Sequence, residues 1–198
     1  LIMIAAFVVL LNFINSTGEF ILSDFVKEHA IIATAEGDTE ALELYLTSFY
    51  GNFNFWVTLT SLAIQLLLVS RVYRIMGVRG ALLVHPVIVG LGYGLIALGP
   101  MLGGFVPVFT LVRLVKIAEN GVDYSLMNTT RHALFLPVDR DSKYEGKTAI
   151  DSFFWRFGDL IQAGVVFAGL NWFGWGAAQF ALLNLLLEFK TQGISCIL

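Results

Sequence analysis

Long runs of apolar residues alternate with short polar stretches along the 198-residue chain. A helix needs about 20 consecutive, mainly apolar residues to cross a bilayer, and its backbone polar groups must bond within the helix. Six segments fit this template, so we expect six transmembrane helices. They cover residues 1–25, 53–70, 81–98, 105–131, 152–172 and 175–189. The pattern therefore predicts an all-α polytopic membrane protein forming a single six-helix domain.

The composition agrees with a lipid bilayer as the surroundings of the chain. Hydrophobic residues make up 57% of the sequence and charged residues 14%, whereas soluble domains carry about 25% charged residues. The formal net charge of -3 gives no reason to expect a nucleic-acid partner. Because Cys196 is the single cysteine, no disulfide can form within the chain.

The charges between the spans predict the orientation, because cytoplasmic connections carry the excess of Lys and Arg. The connection 27–52 holds five acidic residues and one lysine, so we expect it outside, with a short surface helix around 40–50. The segment 71–79 has three arginines and should be cytoplasmic. So should the connection that bears Arg131, Arg140, Lys143, Lys147 and Arg156. The connections 99–104 and 173–174 are uncharged, which places both ends of the chain in the cytoplasm.

Six spans with both ends inside are typical of one half of a two-times-six transporter. The segment 71–79, with a turn glycine at Gly77 between arginines, resembles the loop between the second and third helices of each half of the major facilitator superfamily. The chain starts within an apolar run and without an initiator methionine. We therefore expect a fragment whose missing N-terminal six-helix half is its partner.

The fourth span carries a stripe of polar residues. At about 100° per residue, all of its members lie within about 120° of one another on the helix surface. They are Arg113, Lys116, Glu119, Asn120 and Asp123. Each charge at mid-depth costs at least about 2.5 to 3.5 kcal/mol without a partner or water. The stripe either neutralises itself inside the bundle or lines a wet surface that handles an anion, and we favour the anion-handling interpretation.

Polar residues in two other spans are further candidates. Asn12, Asn15 and Glu19 lie on one face of the first span, where they could contact a polar substrate or hold helices together. In the fifth span, Arg156 and Asp159 are spaced for an internal ion pair. Residues 85–86 and 90–94 of the third span predict a kink and a close helix contact.

Several kinds of chemistry are not supported by the sequence. The three histidines lie in separate segments, without the spacing of metal ligands. Residues 141–148 end like a phosphate-binding loop but follow no buried strand. No catalytic triad is recognisable, so we expect neither an enzyme nor a cofactor nor a metal.

Motifs in the fourth span and after it resemble the ATP/ADP translocase family of plastids and obligate intracellular bacteria. A Tyr-Ser-Leu block, a Leu-Pro-x-Asp turn, a Gly-Lys-x-Ala-x-Asp stretch and a helical arginine follow in order, at 124–126, 136–139, 146–151 and Arg156. The resemblance implies a twelve-span, major-facilitator-like carrier in a bacterial inner membrane, of which this chain is the C-terminal half.

Two positions depart from the pattern of the ATP/ADP exchangers. Asp123 stands where they have a lysine before Tyr-Ser-Leu. Arg131 stands where they have the lysine of a Lys-Glu pair, and His132 replaces the acid. We therefore expect a divergent bacterial relative whose cargo is a nucleotide or another anionic metabolite.

The sequence leads to a secondary transporter that works by alternating access. In this hypothesis, Arg113 and Lys116 meet the anion, while Glu119 and Asp123 compete for those bases or carry a coupled proton. The uncharged part of the substrate contacts Asn12, Asn15, Glu19 and Asn120, and Arg131, Arg156 and Asp159 have structural or gating roles. The alternative is a non-transporting membrane module that anchors a signalling partner through the basic segment 131–156.

Overall fold

The computed structural model describes residues 1–34, 38–98, 107–136, 138 and 146–197. These residues form helices α1 (Ile2–Ala33), α2 (Thr39–Leu67), α3 (Val69–Leu98), α4 (Val108–Val122), α5 (Asn128–Ala133), α6 (Trp155–Trp172) and α7 (Ala177–Ile197). A π-helical segment, Asp123–Met127, joins α4 to α5, and another, Ile150–Phe154, leads into α6. The predicted all-α class is confirmed for this part of the chain.

Among the described residues, four helical segments are long and apolar enough to cross a membrane. They are Ile2–Ala33, Val69–Leu98, Gly146–Trp172 and Ala177–Ile197. The other two expected spans coincide with α2 and with the consecutive segments from α4 to α5. Six membrane crossings therefore remain a prediction, with a helix at each expected place.

Helix α2 is longer than the second span. The Asp38 carboxylate caps it by accepting a hydrogen bond of 2.9 Å from the backbone N–H of Ala41, which satisfies one of the free donors of the first turn. The expected surface helix around 40–50 is thus the first part of α2 rather than a separate element.

The basic segment 71–79 is a broken helix rather than an open loop. The N–H of Leu68 still donates to Ile64 at 2.8 Å, so the chain passes from α2 into α3 with little interruption. The break comes at Gly77, where φ is 65° and ψ is -168°. This conformation is open essentially to glycine alone, so Gly77 makes the turn as expected.

The apolar core is centred on α1, whose buried side chains include Phe7, Val8, Ile14, Leu22 and Val26. Around α1 lie α2, α4, α6 and α7, and α3 packs along α7 and against α4. The predicted close contact at 90–94 faces α7, because Gly90 and Gly94 lie next to Leu185. This arrangement brings polar residues of α1, α3, α4 and α7 into one interior.

Some predictions fall outside the described residues. They concern the uncharged connection 99–104, the acidic residue Glu36 and the basic residues Arg140 and Lys143. The Leu-Pro-x-Asp turn also lies there in part, at Pro137 and Asp139, as does most of the segment 141–148.

Candidate functional site

Lys116 of α4 forms the centre of a buried polar cluster. Its side chain is 1% exposed, and its Nζ atom lies 3.0 Å from Oε2 of Glu119 and 3.3 Å from Oε1 of Glu19. The same ammonium group donates to Oδ1 of Asn15 at 2.9 Å. The i, i+3 spacing places Lys116 and Glu119 side by side on α4, and the other two partners come from α1. The predicted fourth-span stripe and first-span stripe therefore meet.

The two carboxylates also contact neighbouring neutral side chains. The Tyr93 hydroxyl of α3 donates to Oε2 of Glu119 at 2.9 Å, and the Asn120 amide donates to Oε1 of Glu19 at 2.8 Å. Oε1 of Glu119 and Oδ1 of Asn120 are buried without a hydrogen-bond partner in the described part of the chain. Because unsatisfied buried acceptors are costly, the cluster retains capacity for a further donor.

The cluster is open at one edge. Whereas Lys116 and Glu119 are buried, the Glu19 side chain is 42% exposed. Tyr50 of α2 and Tyr124 of the π-helical segment lie within electrostatic range of Glu19. An exposed carboxylate thus pairs with a buried lysine, and two tyrosines lie in its electrostatic range.

A polar pocket lies beside Tyr124, whose side chain is exposed. Its volume is about 440 Å³, and its lining comes from α2 and the segment around α5. Most of the lining groups are uncharged hydrogen-bonding side chains: Thr58, Ser61, Gln65, Tyr124, Asn128 and Thr129, with Leu62. Such a pocket can take a flat, neutral, hydrogen-bonding group.

Arg113 lies apart from the cluster although it belongs to the same predicted stripe. Its guanidinium group donates to Oδ1 of Asn52 and lies 5.4 Å above the Phe49 ring, both on α2. It lines a separate pocket of about 560 Å³, together with Thr34, Tyr45 and Ser48 among others. Asp123 is half-buried and forms no ion pair with Arg113.

Asn12 belongs to a contact between α1 and α6. Its amide donates to the carbonyl of Trp155 and to Oδ1 of Asp159, each at 2.7 Å. The Ser16 hydroxyl donates to the same Asp159 oxygen at 2.6 Å. The expected ion pair of Asp159 with Arg156 is wrong: Arg156 is exposed, and these two residues form no ion pair. The amide and hydroxyl donors of α1 occupy the carboxylate instead.

Arg131 contacts the same end of the helix bundle. Its guanidinium lies 4.7 Å above the Trp155 ring and donates to Oδ1 of Asn128 at 3.3 Å. A cation over an aromatic face is an attractive arrangement. Arg131 therefore connects α5 to the start of α6.

Sequence reasoning missed a second buried polar group. Glu188 of α7 lies with an oxygen 3.9 Å from Nδ1 of His85 on α3, and both side chains are 2% exposed. His85 was assigned only to a kink, and Tyr93 and Asn184 received no role. The available signal was Glu188 itself, an acidic residue at the end of the sixth predicted span.

No group of three or more His, Cys, Asp or Glu side chains able to bind a metal ion occurs among the described residues. The buried cluster instead offers one ammonium group, two carboxylates and several amides.

Two known proteins are similar to part of this chain. The chain is 31% identical to ADP,ATP carrier protein 1 of Chlamydia pneumoniae over 137 residues, covering 61% of this chain and 27% of the relative. It is 28% identical to ADP,ATP carrier protein 1 of Chlamydia trachomatis serovar D over 137 residues, with 61% and 26% coverage. The chain thus spans about a quarter of the length of these relatives. No solved structure gives a significant match.

A family comparison covers a larger part of the sequence. The model described as TLC ATP/ADP transporter matches residues 41–183, well over half of the chain. This is a family of transporters and not of enzymes. Four helices long and apolar enough to cross a membrane agree with that assignment. The chain therefore belongs to the TLC ATP/ADP transporter family and is an integral membrane protein.

Proposed function

We propose that this chain is the C-terminal six-helix half of a major-facilitator-like carrier. The carrier would exchange nucleotides, or a related anionic metabolite, across a bacterial inner membrane by alternating access. The observation that carries the proposal is the buried Lys116, which binds two carboxylates beneath the exposed edge of Glu19. In this arrangement, both ends of the chain lie in the cytoplasm. The missing six-helix half supplies the opposite wall of the binding site.

Exchange of partners at Lys116 is the central step. A buried charge must remain paired, because an isolated one is strongly unfavourable in an apolar interior. In the absence of substrate, Glu19 and Glu119 neutralise the ammonium group. An entering phosphate displaces Glu19, the exposed partner, and Asn15 and Asn120 keep hydrogen bonds available at the same place. Glu119 stays bonded to Tyr93 and fixes the position of the lysine.

The pocket beside Tyr124 suits the uncharged part of a nucleotide. Residues 116 and 124 are about 12 Å apart along a helix at about 1.5 Å per residue, a separation comparable to an extended nucleoside diphosphate. The exposed Tyr124 ring can stack on a base, and the surrounding hydroxyl and amide groups can bond its edge. We assign the base to this pocket and the phosphates to Lys116.

Arg113 is the outer anion contact in this proposal. It precedes Lys116 by about one helical turn, toward the end of α4 that the charge distribution places outside. Its guanidinium lines an open pocket beside Asn52. Asp123 lies on the cytoplasmic side of the cluster, where it competes with substrate for basic groups. Arg131 acts as a gating residue next to Trp155.

Asn12, Arg156 and Asp159 are assigned to positioning α6 rather than to the substrate. Both hydrogen bonds of the Asn12 amide go to α6. This contact aligns α6 with α1, which carries Asn15 and Glu19. The gating role of Asp159 therefore depends on its hydrogen bonds to Asn12 and Ser16 of α1.

Exchange by the full-length protein in liposomes tests the proposal. Vesicles loaded with ATP should take up labelled ADP, and vesicles without internal nucleotide should not. Lys116→Ala should abolish the uptake, because the phosphates lose their buried cation. Lys190→Ala is the matched control, since Lys190 is an exposed lysine of α7, and it should retain the wild-type rate.

Two results would contradict the proposal. One is equal uptake by the wild type and Lys116→Ala, which would remove the lysine from the binding site. The other is no uptake of any nucleotide or anionic metabolite by a folded wild-type protein. Stable capture of a soluble partner by that inactive protein would favour the membrane-anchor alternative.

A further inference from the structure

The pair His85 and Glu188 lies inside the helix bundle, apart from the Lys116 cluster. Nδ1 of His85 is 3.9 Å from Oε1 of Glu188, too far for a hydrogen bond. Nδ1 and both carboxyl oxygens are buried and lack a hydrogen-bond partner among the residues described. A titratable pair from α3 and α7 is therefore buried without the contacts that usually stabilise buried charge.

The surroundings of Glu188 are mostly apolar. A cavity of about 420 Å³ between α3 and α7 reaches the carboxyl group, and Pro86, Gly90, Gly94 and Leu185 are among its lining residues. An ionised carboxylate in such a place is strongly unfavourable and is relieved by binding a proton. An ion pair with imidazolium would require two poorly solvated charges with no supporting hydrogen bonds. A neutral carboxyl group beside a neutral imidazole is the favoured state.

Charged groups within electrostatic range act on the two members of the pair in different ways. Glu119 of α4 repels a negative charge on Glu188, and the Tyr93 hydroxyl, which donates to Glu119, is in electrostatic range of both carboxyl groups. On the histidine side, Lys116 opposes a positive charge on His85, and Asp123 favours it. On α7, the Asn184 amide donates to the backbone carbonyl of Ile14 on α1 at 3.0 Å, a contact that adds no charge.

We propose that His85 and Glu188 form a proton-binding site that carries one proton on Glu188 in this conformation. The proton comes from water and bonds to a carboxylate oxygen, and it returns to water when the pair opens. The site senses the Lys116 cluster through Glu119 and Tyr93. When an anion replaces Glu19 at Lys116 and shares its positive charge, Lys116 compensates the Glu119 charge less, and this remaining negative charge strengthens proton binding at Glu188. This last link depends on the proposed function, whereas the proton site itself does not.

Infrared spectroscopy of the full-length protein in liposomes tests the proton site without any nucleotide. The wild type should show a protonated-carboxyl absorption at neutral pH that shifts in heavy water. Glu188→Gln should remove it, and Glu43→Gln, which changes an exposed acid of α2, should leave it unchanged. An undiminished absorption in folded Glu188→Gln protein would overturn the proposal.

The histidine variant keeps the test decisive if Glu188→Gln does not fold. In His85→Asn, no imidazole remains to take a proton or share the charge, so the absorption should persist to higher pH than in the wild type. An identical pH response of wild type and His85→Asn would exclude the paired site.

Measurements with added ADP test the coupling between Lys116 and Glu188 separately from the proton site itself. With ADP present, the absorption should persist to higher pH, and this shift should vanish in Lys116→Ala. If ADP binds but leaves the pH response unchanged, the coupling is refuted and the proton site stands. If ADP does not bind at all, the proposed function fails while the nucleotide-free measurement still decides the site.

Discussion

The Tyr93 hydroxyl occupies the space where a side chain at position 18 would begin. A Cβ atom on Gly18 would collide with this hydroxyl and would lie 3.0 Å from Nζ of Lys116. Glycine at this position therefore lets α1 approach α3 and α4 closely enough for Asn15 and Glu19 to reach the lysine. The position of Tyr93 thus shows why this close approach requires glycine.

Gly18→Ala should destabilise the protein and disturb the cluster. Tyr93 must move away from Glu119, and overpacking of this kind typically costs about 1 to 3 kcal/mol. Thermal unfolding in detergent measures the effect. Gly164→Ala is the control, because a methyl group there meets nothing within 4 Å and alanine favours the helix. Equal stability of the two variants would contradict the contact.

Lys116→Met should lower the free energy of unfolding by about 3 to 5 kcal/mol, because it leaves buried Glu119 without its counter-ion. The double variant Lys116→Met/Glu119→Gln should recover most of this stability, since no buried charge is then unpaired. Denaturation of the three proteins under identical conditions measures the difference. A double variant as unstable as the single one would show that Lys116 stabilises the bundle by packing.

The same double variant distinguishes the role of Lys116 in stability from its role in transport. If Lys116 binds the substrate anion, the refolded double variant should remain inactive in ADP uptake. Recovery of uptake together with stability would show that the lysine is needed only to neutralise Glu119. The pair of measurements thus distinguishes the two interpretations of the fourth-span stripe that the sequence left open.

Helical spacing was sufficient to find the members of the cluster but not all of their partners. Lys116 and Glu119 follow from positions three residues apart, and Glu19 with Asn15 follows from the face of α1. Helical spacing does not predict which neighbouring helix a long side chain extends toward. Arg113 lies on the same stripe but extends toward α2, because Asn52 and the Phe49 ring offer it contacts there.

Contacts between helices that lie far apart in the sequence were the least predictable. The local spacing of Arg156 and Asp159 suggested an ion pair, whereas the donors that occupy Asp159 lie more than 140 residues away, on α1. Glu188 presented the same difficulty, because its neighbour His85 comes from another helix and is more than 100 residues distant. A single sequence contains no signal for such pairs beyond an ionisable residue in an apolar segment.

Arg113→Gln should weaken substrate capture more than turnover. If this guanidinium is the outer anion contact, its loss removes about 1.4 kcal/mol or more of charge-assisted bonding, which corresponds to roughly a tenfold higher KM. The maximal exchange rate should change little, because Lys116 remains. Initial rates of ADP uptake over a concentration series measure both quantities. An unchanged KM would remove Arg113 from the entry route.

Asn12→Ala should act through stability rather than through the substrate. The variant loses two part-buried hydrogen bonds to α6, at a cost of about 1 to 3 kcal/mol. The KM for ADP should stay within about twofold of the wild type once folded protein is compared, a change of only about 0.4 kcal/mol. Asn171→Ala is the matched control, because its amide bonds only to Phe167 within α6 and is exposed. A large KM change in Asn12→Ala would instead favour direct substrate contact.

Gly77→Ala should destabilise the folded protein through the backbone conformation at the break in α3. Its backbone combination of φ 65° and ψ -168° costs a residue with a Cβ atom about 1 to 3 kcal/mol. The free space around Gly77 rules out a steric collision as the cause, because a methyl group there meets nothing within 4 Å. Gly51→Ala in α2 has equally open surroundings but ordinary helical geometry, so it should gain up to about 1 kcal/mol. Opposite shifts of the unfolding temperature in these two variants would therefore isolate the backbone effect, and shifts of the same sign would exclude it.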